Sequence, residues 1–152
     1  MKDIEQILLA AETALTKACP DLERRLKRLA SKRLPKGTAF VDFEIFPDDY
    51  RIAFYPMDAD WTQLGFQYAR AKGLFSGRQV DPFDDEDDLD DPAVTEKAGS
   101  LEERLNEMVV RWFYQCWKRS VGTDFTVPAY VCIHDSNLAF DLVEEEYIDR
   151  SL

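Results

Sequence analysis

Apolar side chains recur every three or four residues along the first thirty positions of the chain. The spacing predicts an amphipathic helix over residues 2–18. Proline lacks a backbone N–H and clashes with the preceding turn, so we expect Pro20 to interrupt this helix. The same stripe resumes at Leu22, Leu26 and Leu29, which predicts a second helical piece.

The pattern changes to an alternation of apolar and polar residues after Gly37. Residues 38–46 and 50–57 lie on either side of a Pro-Asp-Asp turn, and together they predict a β-hairpin. Residues 127–134 and 138–145 have a similar composition and flank a short polar connection, which predicts a second hairpin.

A continuous apolar stripe predicts a long helix in the second half of the chain. We expect it to begin at Ser100, because Ser100 and Glu103 match a capping box in which each side chain accepts a hydrogen bond from the other's backbone N–H. Gly122 lies where such a helix commonly ends. We interpret the aromatic residues of the stripe as core rather than as a ligand box. The stripe comprises Leu101, Leu105, Met108, Val109, Trp112, Phe113, Cys116 and Trp117.

The order of these elements predicts the fold class. Two helical pieces and two strands precede an acidic segment, a long helix and two further strands. The simplest packing is an α+β fold, with an antiparallel sheet built from two hairpins and the helices packed on one face. A chain of 152 residues is most naturally one domain, 1–152, and can bury a core without a metal or disulfide. Residues 58–80 fit either a further strand or a helical turn.

The charge of the chain is strongly negative and unevenly distributed. The net charge is −11, yet residues 1–37 hold nine basic and five acidic side chains. Residues 38–152 hold ten basic and twenty-five acidic ones. Such a surface repels phosphate backbones and attracts basic proteins, so we expect a basic protein partner and no nucleic acid. We interpret the basic residues of the second helical piece as a solvated helix face.

The sequence contains no pattern typical of a membrane or secreted protein. No apolar run approaches the ~20 residues of a membrane span. The first residues include Asp3, Glu5 and Glu12 rather than the basic start of a signal peptide. We therefore expect a cytoplasmic protein with no membrane partner.

Its three cysteines are odd in number and unclustered, as expected of buried reduced thiols. They are Cys19, Cys116 and Cys132.

Few residues have the spacing of a catalytic or metal site. Cys132 and His134 would share one face of a strand, which would allow a thiolate activated by imidazole. No orienting group or oxyanion device accompanies them, so we predict no catalytic residue. The pairs Asp48-Asp49 and Asp58-x-Asp60 could bind calcium, but aspartates are common in turns for backbone reasons alone. We predict no metal and no cofactor.

Negative charge is concentrated in one segment. Eight of the eleven residues from Asp81 to Asp91 are acidic, and with so little apolar content we expect an exposed mobile loop at about residues 80–99. Carboxylates along an extended chain can imitate a phosphate backbone and compete for arginine and lysine. The alternative is a solubilising linker that binds nothing. The predicted partner-binding residues are Asp48, Asp49, Asp58, Asp60, Asp84, Asp85, Glu86, Asp87, Asp88, Asp90 and Asp91.

Residues 112–142 contain five short sequence motifs that resemble those of a known class of proteins. They are Trp112-Phe113, Cys116-Trp117, Pro128-Ala129-Tyr130, His134-Asp135 and Asp141-Leu142. In these features the segment resembles small acidic bacterial immunity proteins of polymorphic toxin systems. The resemblance implies a cytosolic α+β protein that blocks a toxin by occluding its working surface, and it carries over no site residues.

Three hypotheses of function follow. The first is a non-enzymatic cytosolic binding protein, namely an immunity protein that blocks a basic toxin such as a nuclease. The second is a regulatory or scaffold module for protein interaction, in which the acidic segment is only a linker. The third is a small enzyme that uses Cys132 and His134.

Overall fold

The computed structural model describes residues 2–47, 49–69, 90–122 and 125–151. These residues form two long helices and six strands. The helices are α1 (Ile4–Ser31) and α2 (Pro92–Ser120), and the strands are β1 (Phe40–Phe46), β2 (Arg51–Met57), β3 (Gln67–Ala69), β4 (Ala129–Ile133), β5 (Leu138–Asp141) and β6 (Glu146–Asp149).

Helix α1 is continuous, so the prediction that Pro20 interrupts it was wrong. Pro20 lies inside the helix and is exposed. The hydrogen bond lost at the proline is therefore on the side accessible to water. Ala18 and Leu22 on either side of it are buried, and the packing of one unbroken apolar stripe outweighs the loss. Asp3 caps the start of the helix, where its side chain accepts a hydrogen bond from the backbone N–H of Glu5.

Helix α2 begins eight residues earlier than the sequence predicted. Its N-cap is Asp91, whose side chain accepts a hydrogen bond from the backbone N–H of Ala93, and Pro92 occupies the first helical position. Ser100 is an interior residue of α2, so both the predicted capping box and a loop extending to residue 99 were wrong. The predicted end is confirmed: Val121 is the C-cap, and Gly122 adopts a positive φ of 55°.

The six strands form one mixed sheet in the order β3-β2-β1-β4-β5-β6. Both predicted hairpins are present, as the antiparallel pairs β1–β2 and β4–β5. The prediction of a wholly antiparallel sheet was wrong, because β1 and β4 pair in parallel, from Val41 opposite Ala129 to Ile45 opposite Ile133. The two hairpins are joined through α2, and this crossover returns the chain so that β4 runs in the direction of β1. The α+β class is confirmed.

The core lies between one face of the sheet and the two helices. Phe43 is at its centre, with ring centroids 4.9 Å from Phe113 and 5.4 Å from Trp117 of α2. Leu22 and Leu26 of α1 are buried in the same cluster. Trp112, Phe113 and Trp117 are all buried, which confirms that the aromatic stripe of α2 is core.

The cysteines do not follow the prediction of separate reduced thiols. Cys19 of α1 and Cys116 of α2 form a disulfide, with their Cα atoms 6.1 Å apart. The two residues are 97 positions apart in the sequence, and the parallel packing of α1 against α2 brings them together. The contacts Glu5–Arg104 and Glu23–Arg119 lie on either side of the disulfide in the same order along both helices. Cys132 is free and half-buried. Within the described residues, neither helix is long and apolar enough to cross a membrane.

Candidate functional site: an acidic groove beside helix α2

The structure places two of the predicted partner-binding sites at opposite ends of β2. Asp49 lies in the turn before β2, where it accepts hydrogen bonds from the backbone and the guanidinium of Arg51. Asp58 lies in the turn after β2 and accepts from the backbone N–H groups of Asp60 and Thr62. These carboxylates stabilise turns, and a strand of seven residues separates them.

The remaining predicted residues lie at the start of α2 or outside the described chain. Asp91 is the N-cap of α2 and Asp90 directly precedes it. The other predicted residues, Asp48, Asp84, Asp85, Glu86, Asp87 and Asp88, fall outside the described residues.

A groove of about 560 Å³ lies between α2 and the β4–β5 hairpin, where β6 forms the far edge of the sheet. Val110 on α2 and Val131 and Ile133 on β4 provide its apolar floor. Leu138 and Tyr147 complete the floor at the open side, and each is 50% exposed. Large apolar side chains left half in water beside a groove are typical of binding surfaces.

Four carboxylates surround this floor, so we call the site the acidic groove. Glu102, Glu103 and Glu107 project from α2, and Asp135 faces them from the β4–β5 turn. The side chains of Glu107 and Asp135 are 63% and 87% exposed. Among the described residues that line the groove there is neither a lysine nor an arginine. Arg111, next to the groove on α2, pairs with Glu107 at 3.1 Å, and the ring of His134 lies 3.4 Å from the Asp135 carboxylate, so two of the four carboxylates have a basic neighbour. The groove is therefore anionic above an apolar base.

The local structure explains how these residues come to one place. Glu103 and Glu107 are four residues apart, so they share a face of α2 beside the buried stripe. Asp135 occupies the tight turn between β4 and β5 with a φ of 65°, a conformation that Asp tolerates better than most residues. The backbone N–H of His134 donates to the carbonyl of Ile45, which fixes this turn against the end of β1.

Two tyrosines near the groove experience its negative charge. Burial raises the pKa of Tyr147, and the carboxylate of Glu107 raises it further. Burial raises the pKa of Tyr50 to about 12, and Glu102 contributes in the same direction. In both cases a nearby carboxylate disfavours a second negative charge.

Asn106 is a polar residue of the groove with an unused acceptor. Its Oδ1 is shielded from solvent and has no hydrogen-bond partner in the described part of the chain. An acceptor without a hydrogen bond destabilises the protein, and a donor from a partner would remove this free-energy cost. Lysine and arginine side chains are donors without acceptors, and the carboxylates of the rim also favour such cationic groups.

Cys132 lies on the sheet face opposite the helices, whereas His134, directly after β4, also lines the acidic groove. The Nδ1 atom of His134 contacts the Glu44 carboxylate, and its ring stacks on Phe46. Burial raises the pKa of Cys132 to about 12, with a further contribution from the nearby carboxylate of Asp42. Cys132 is therefore a thiol at neutral pH, the weakly nucleophilic form.

Potential metal ligands meet at one place among the described residues. One oxygen of Glu23 and the sulfurs of Cys19 and Cys116 lie within 4.8 Å of one another. The two sulfurs are bonded to each other in the disulfide, and Arg119 donates hydrogen bonds to both Glu23 and Cys19. With its thiols oxidised and a cation in contact, this cluster does not fit a metal ion.

The acidic groove was not predicted from the sequence. Glu102, Glu103 and Glu107 lie next to the apolar stripe of α2 and read as an ordinary solvated helix face. Asp135 lies in the short polar connection of the second predicted hairpin, and nothing in that pattern indicates a groove. Comparisons with protein-family models, curated proteins and solved structures found no match to this chain.

Proposed function

We propose that this chain is a non-enzymatic binding protein, an immunity protein that blocks a basic toxin such as a nuclease, and that the acidic groove is its contact surface. The observation that supports this proposal is the combination of an apolar floor, half exposed at Leu138 and Tyr147, with a rim of four carboxylates. A net charge of −11 makes a nucleic acid or an anionic membrane an unfavourable partner.

The groove is suited to the long cationic side chains of such a partner. Lysine and arginine lay their methylene stems on apolar surface while their charged ends reach polar groups. Here Leu138 and Tyr147 would contact the stems, and Glu103, Glu107 and Asp135 would accept charge-assisted hydrogen bonds. Surface charge mainly sets the association rate, whereas apolar contacts and buried pairs mainly set dissociation.

The proposal of a binding protein rather than an enzyme is supported by the state of Cys132. An activated cysteine has a lowered pKa, and burial moves the pKa of this thiol in the opposite direction. Rapid labelling of Cys132 in the native protein by a thiol reagent would favour the Cys/His enzyme instead. A regulatory or scaffold module would share the groove but would not protect against a toxin.

We also propose a cytosolic location, which the resemblance of residues 112–142 to immunity proteins implies. Disulfides are rare in that compartment, so the Cys19–Cys116 pair weighs against it unless the pair is reduced in the cell.

The first prediction tests the groove against a toxin domain encoded by the neighbouring gene. We expect the triple variant E102Q/E103Q/E107Q to associate with this domain about tenfold more slowly at low salt, and to lose most of the salt dependence of the rate. Association and dissociation rates would be measured by surface plasmon resonance at low and high salt. Protection of cells that express the toxin would be measured in parallel.

The matched control is E12Q/E96Q/E144Q, which changes the net charge equally at exposed positions outside the groove. We expect a much smaller effect from it. Equal slowing by both triple variants would show that only overall charge matters and would remove the groove from the mechanism. A neighbouring toxin that is neither bound nor blocked would overturn the immunity function itself.

A further inference from the structure

A second pocket lies at the other end of the sheet, where α1 crosses β1 and β2. Its volume is about 150 Å³. Leu22, Leu26, Phe43, Ile52 and Phe54 form its apolar base, and all five are buried. An apolar cavity of this size holds about one benzene ring.

Three cations surround the mouth of this pocket. Arg25, Arg28 and Lys32 follow one another at i, i+3 and i+7, so they lie along one face of α1. Among the described residues, Asp21 is the carboxylate that approaches them, and it pairs with the Nε of Arg25 at 2.9 Å. A guanidinium has five N–H donors, so Arg25 keeps donors for a further acceptor.

We infer that this pocket binds a small organic anion, a carboxylate or phosphate monoester attached to an aromatic ring or a short branched hydrocarbon. The hydrocarbon fills the apolar base, and the anionic group lies at the mouth beside Arg28 and Lys32. The C-terminal end of a helix carries a partial negative charge of about half a unit, which opposes an anion. The three positive charges at the mouth, reduced by the one negative charge of Asp21, still exceed this partial charge.

The two parts of the pocket together define the ligand class. A purely apolar ligand would leave the three cations unused, and an inorganic anion would leave the buried base unfilled. A nucleic-acid backbone is too large for a pocket of this volume. This site is independent of the acidic groove, since the two share no lining residue.

The second prediction is tested with three small probes. We expect phenylacetate to shift the methyl resonances of Leu22, Leu26 and Ile52 in a saturable titration followed by NMR. Phenylacetamide has the ring without the charge, and acetate has the charge without the ring, so each should bind at least about tenfold more weakly. Equal binding of either one, or no shift with phenylacetate, would overturn the inference.

Variants of the pocket provide the second arm of the experiment. R28Q/K32Q should weaken phenylacetate binding about tenfold, whereas K27Q/R33Q removes the same charge outside the pocket and should change it little. Leu29→Phe adds volume at the pocket wall and should exclude the ring while leaving the charges in place. Equal effects of the two charge variants would reduce the site to a general cationic surface and would contradict the proposal.

Discussion

At the scale of single residues, the most buried ion pair of the described chain is Asp42 with Arg150, on the sheet face opposite the helices. The guanidinium donates two hydrogen bonds to the carboxylate, at 2.6 and 3.1 Å, and the side chains are only 13% and 17% exposed. Arg150 also lies over the rings of Trp61 and Tyr130, 5.2 and 5.1 Å from their centroids. These contacts join the residue that follows β6 to β1, to β4 and to the turn after β2.

Asp42 has a pKa above its ordinary value of 3.8, because burial outweighs the opposing effects of Arg150. A folded-state pKa above the unfolded one means that the folded protein binds the proton more tightly. The stability gained from that proton is therefore present at low pH and is lost as the pH rises through the folded pKa.

The third prediction follows for Arg150→Gln. Removal of the cation leaves a buried carboxylate without its ion partner, and we expect the free energy of unfolding at pH 7 to fall by about 3 kcal/mol. The loss should shrink near pH 4, because the pKa of Asp42 rises further and the carboxylate takes up a proton. Urea unfolding of the wild type and the variant at the two pH values measures the loss in the free energy of unfolding.

The control is Arg111→Gln, which breaks an exposed pair with Glu107 and should cost less than about 1 kcal/mol at either pH. A loss in Arg150→Gln that does not change with pH would contradict the assigned role of Asp42.

At the scale of elements, the two helices are connected both by packing and by the Cys19–Cys116 disulfide. A cross-link between residues 97 positions apart removes much of the conformational freedom of the unfolded chain. The helices would remain packed without it, because Leu8, Leu15, Leu105 and Val109 are buried in the core with both cysteines.

The fourth prediction concerns reduction of this disulfide. A loop of this length contributes about 4–5 kcal/mol in the chain-entropy account, so a reducing agent should lower the urea midpoint substantially without unfolding the protein. Cys132→Ser retains the disulfide and should respond to the reductant as the wild type does. The double variant C19A/C116A should not respond at all. An unchanged wild-type midpoint on reduction would show that the cross-link does not stabilise the fold.

Local sequence signals predicted the hairpins and the apolar stripes, because alternation, turn residues and helical spacing act over a few positions. They failed where two signals compete or where partners are distant. Asp91-Pro92 and the Ser100–Glu103 pair are both valid helix starts, and the chain uses the first although none of residues 92–100 is buried. The parallel pairing of β1 with β4 has no local signal. The acidic groove was missed for the same reason, since Glu103 and Asp135 reach one groove only through the packing of α2 beside the β4–β5 hairpin.

At the scale of the whole molecule, opposite charges occupy opposite ends of the sheet. The cationic pocket of α1 lies over β1 and β2, whereas the acidic groove lies beside β4, β5 and β6. The described part of the chain therefore presents two distinct electrostatic surfaces, one cationic and one anionic.

The fifth prediction concerns the net charge of −11. Unbalanced charge of this size destabilises the compact state through repulsion, and most of the described ion pairs are too exposed to compensate for it. Raising sodium chloride from about 10 mM to about 150 mM shortens the screening length from about 30 Å to about 8 Å. We expect the free energy of unfolding to increase on the order of 1 kcal/mol as a result.

Urea unfolding across the salt series provides the measurement, and a series with a non-ionic osmolyte separates screening from general exclusion effects. A decrease in stability with salt would mean that attractive pairs outweigh the repulsion.

The parallel pairing of β1 and β4 also has a consequence for biosynthesis. The central strand of the sheet leaves the ribosome with one partner, β2, but its other partner is translated about eighty residues later. Until that partner emerges, β1 has an unpaired edge and Phe43 lacks the contacts that α2 supplies. The nascent chain can thus complete this sheet only after β4 has emerged, and until then the exposed edge of β1 is the segment that a chaperone would protect.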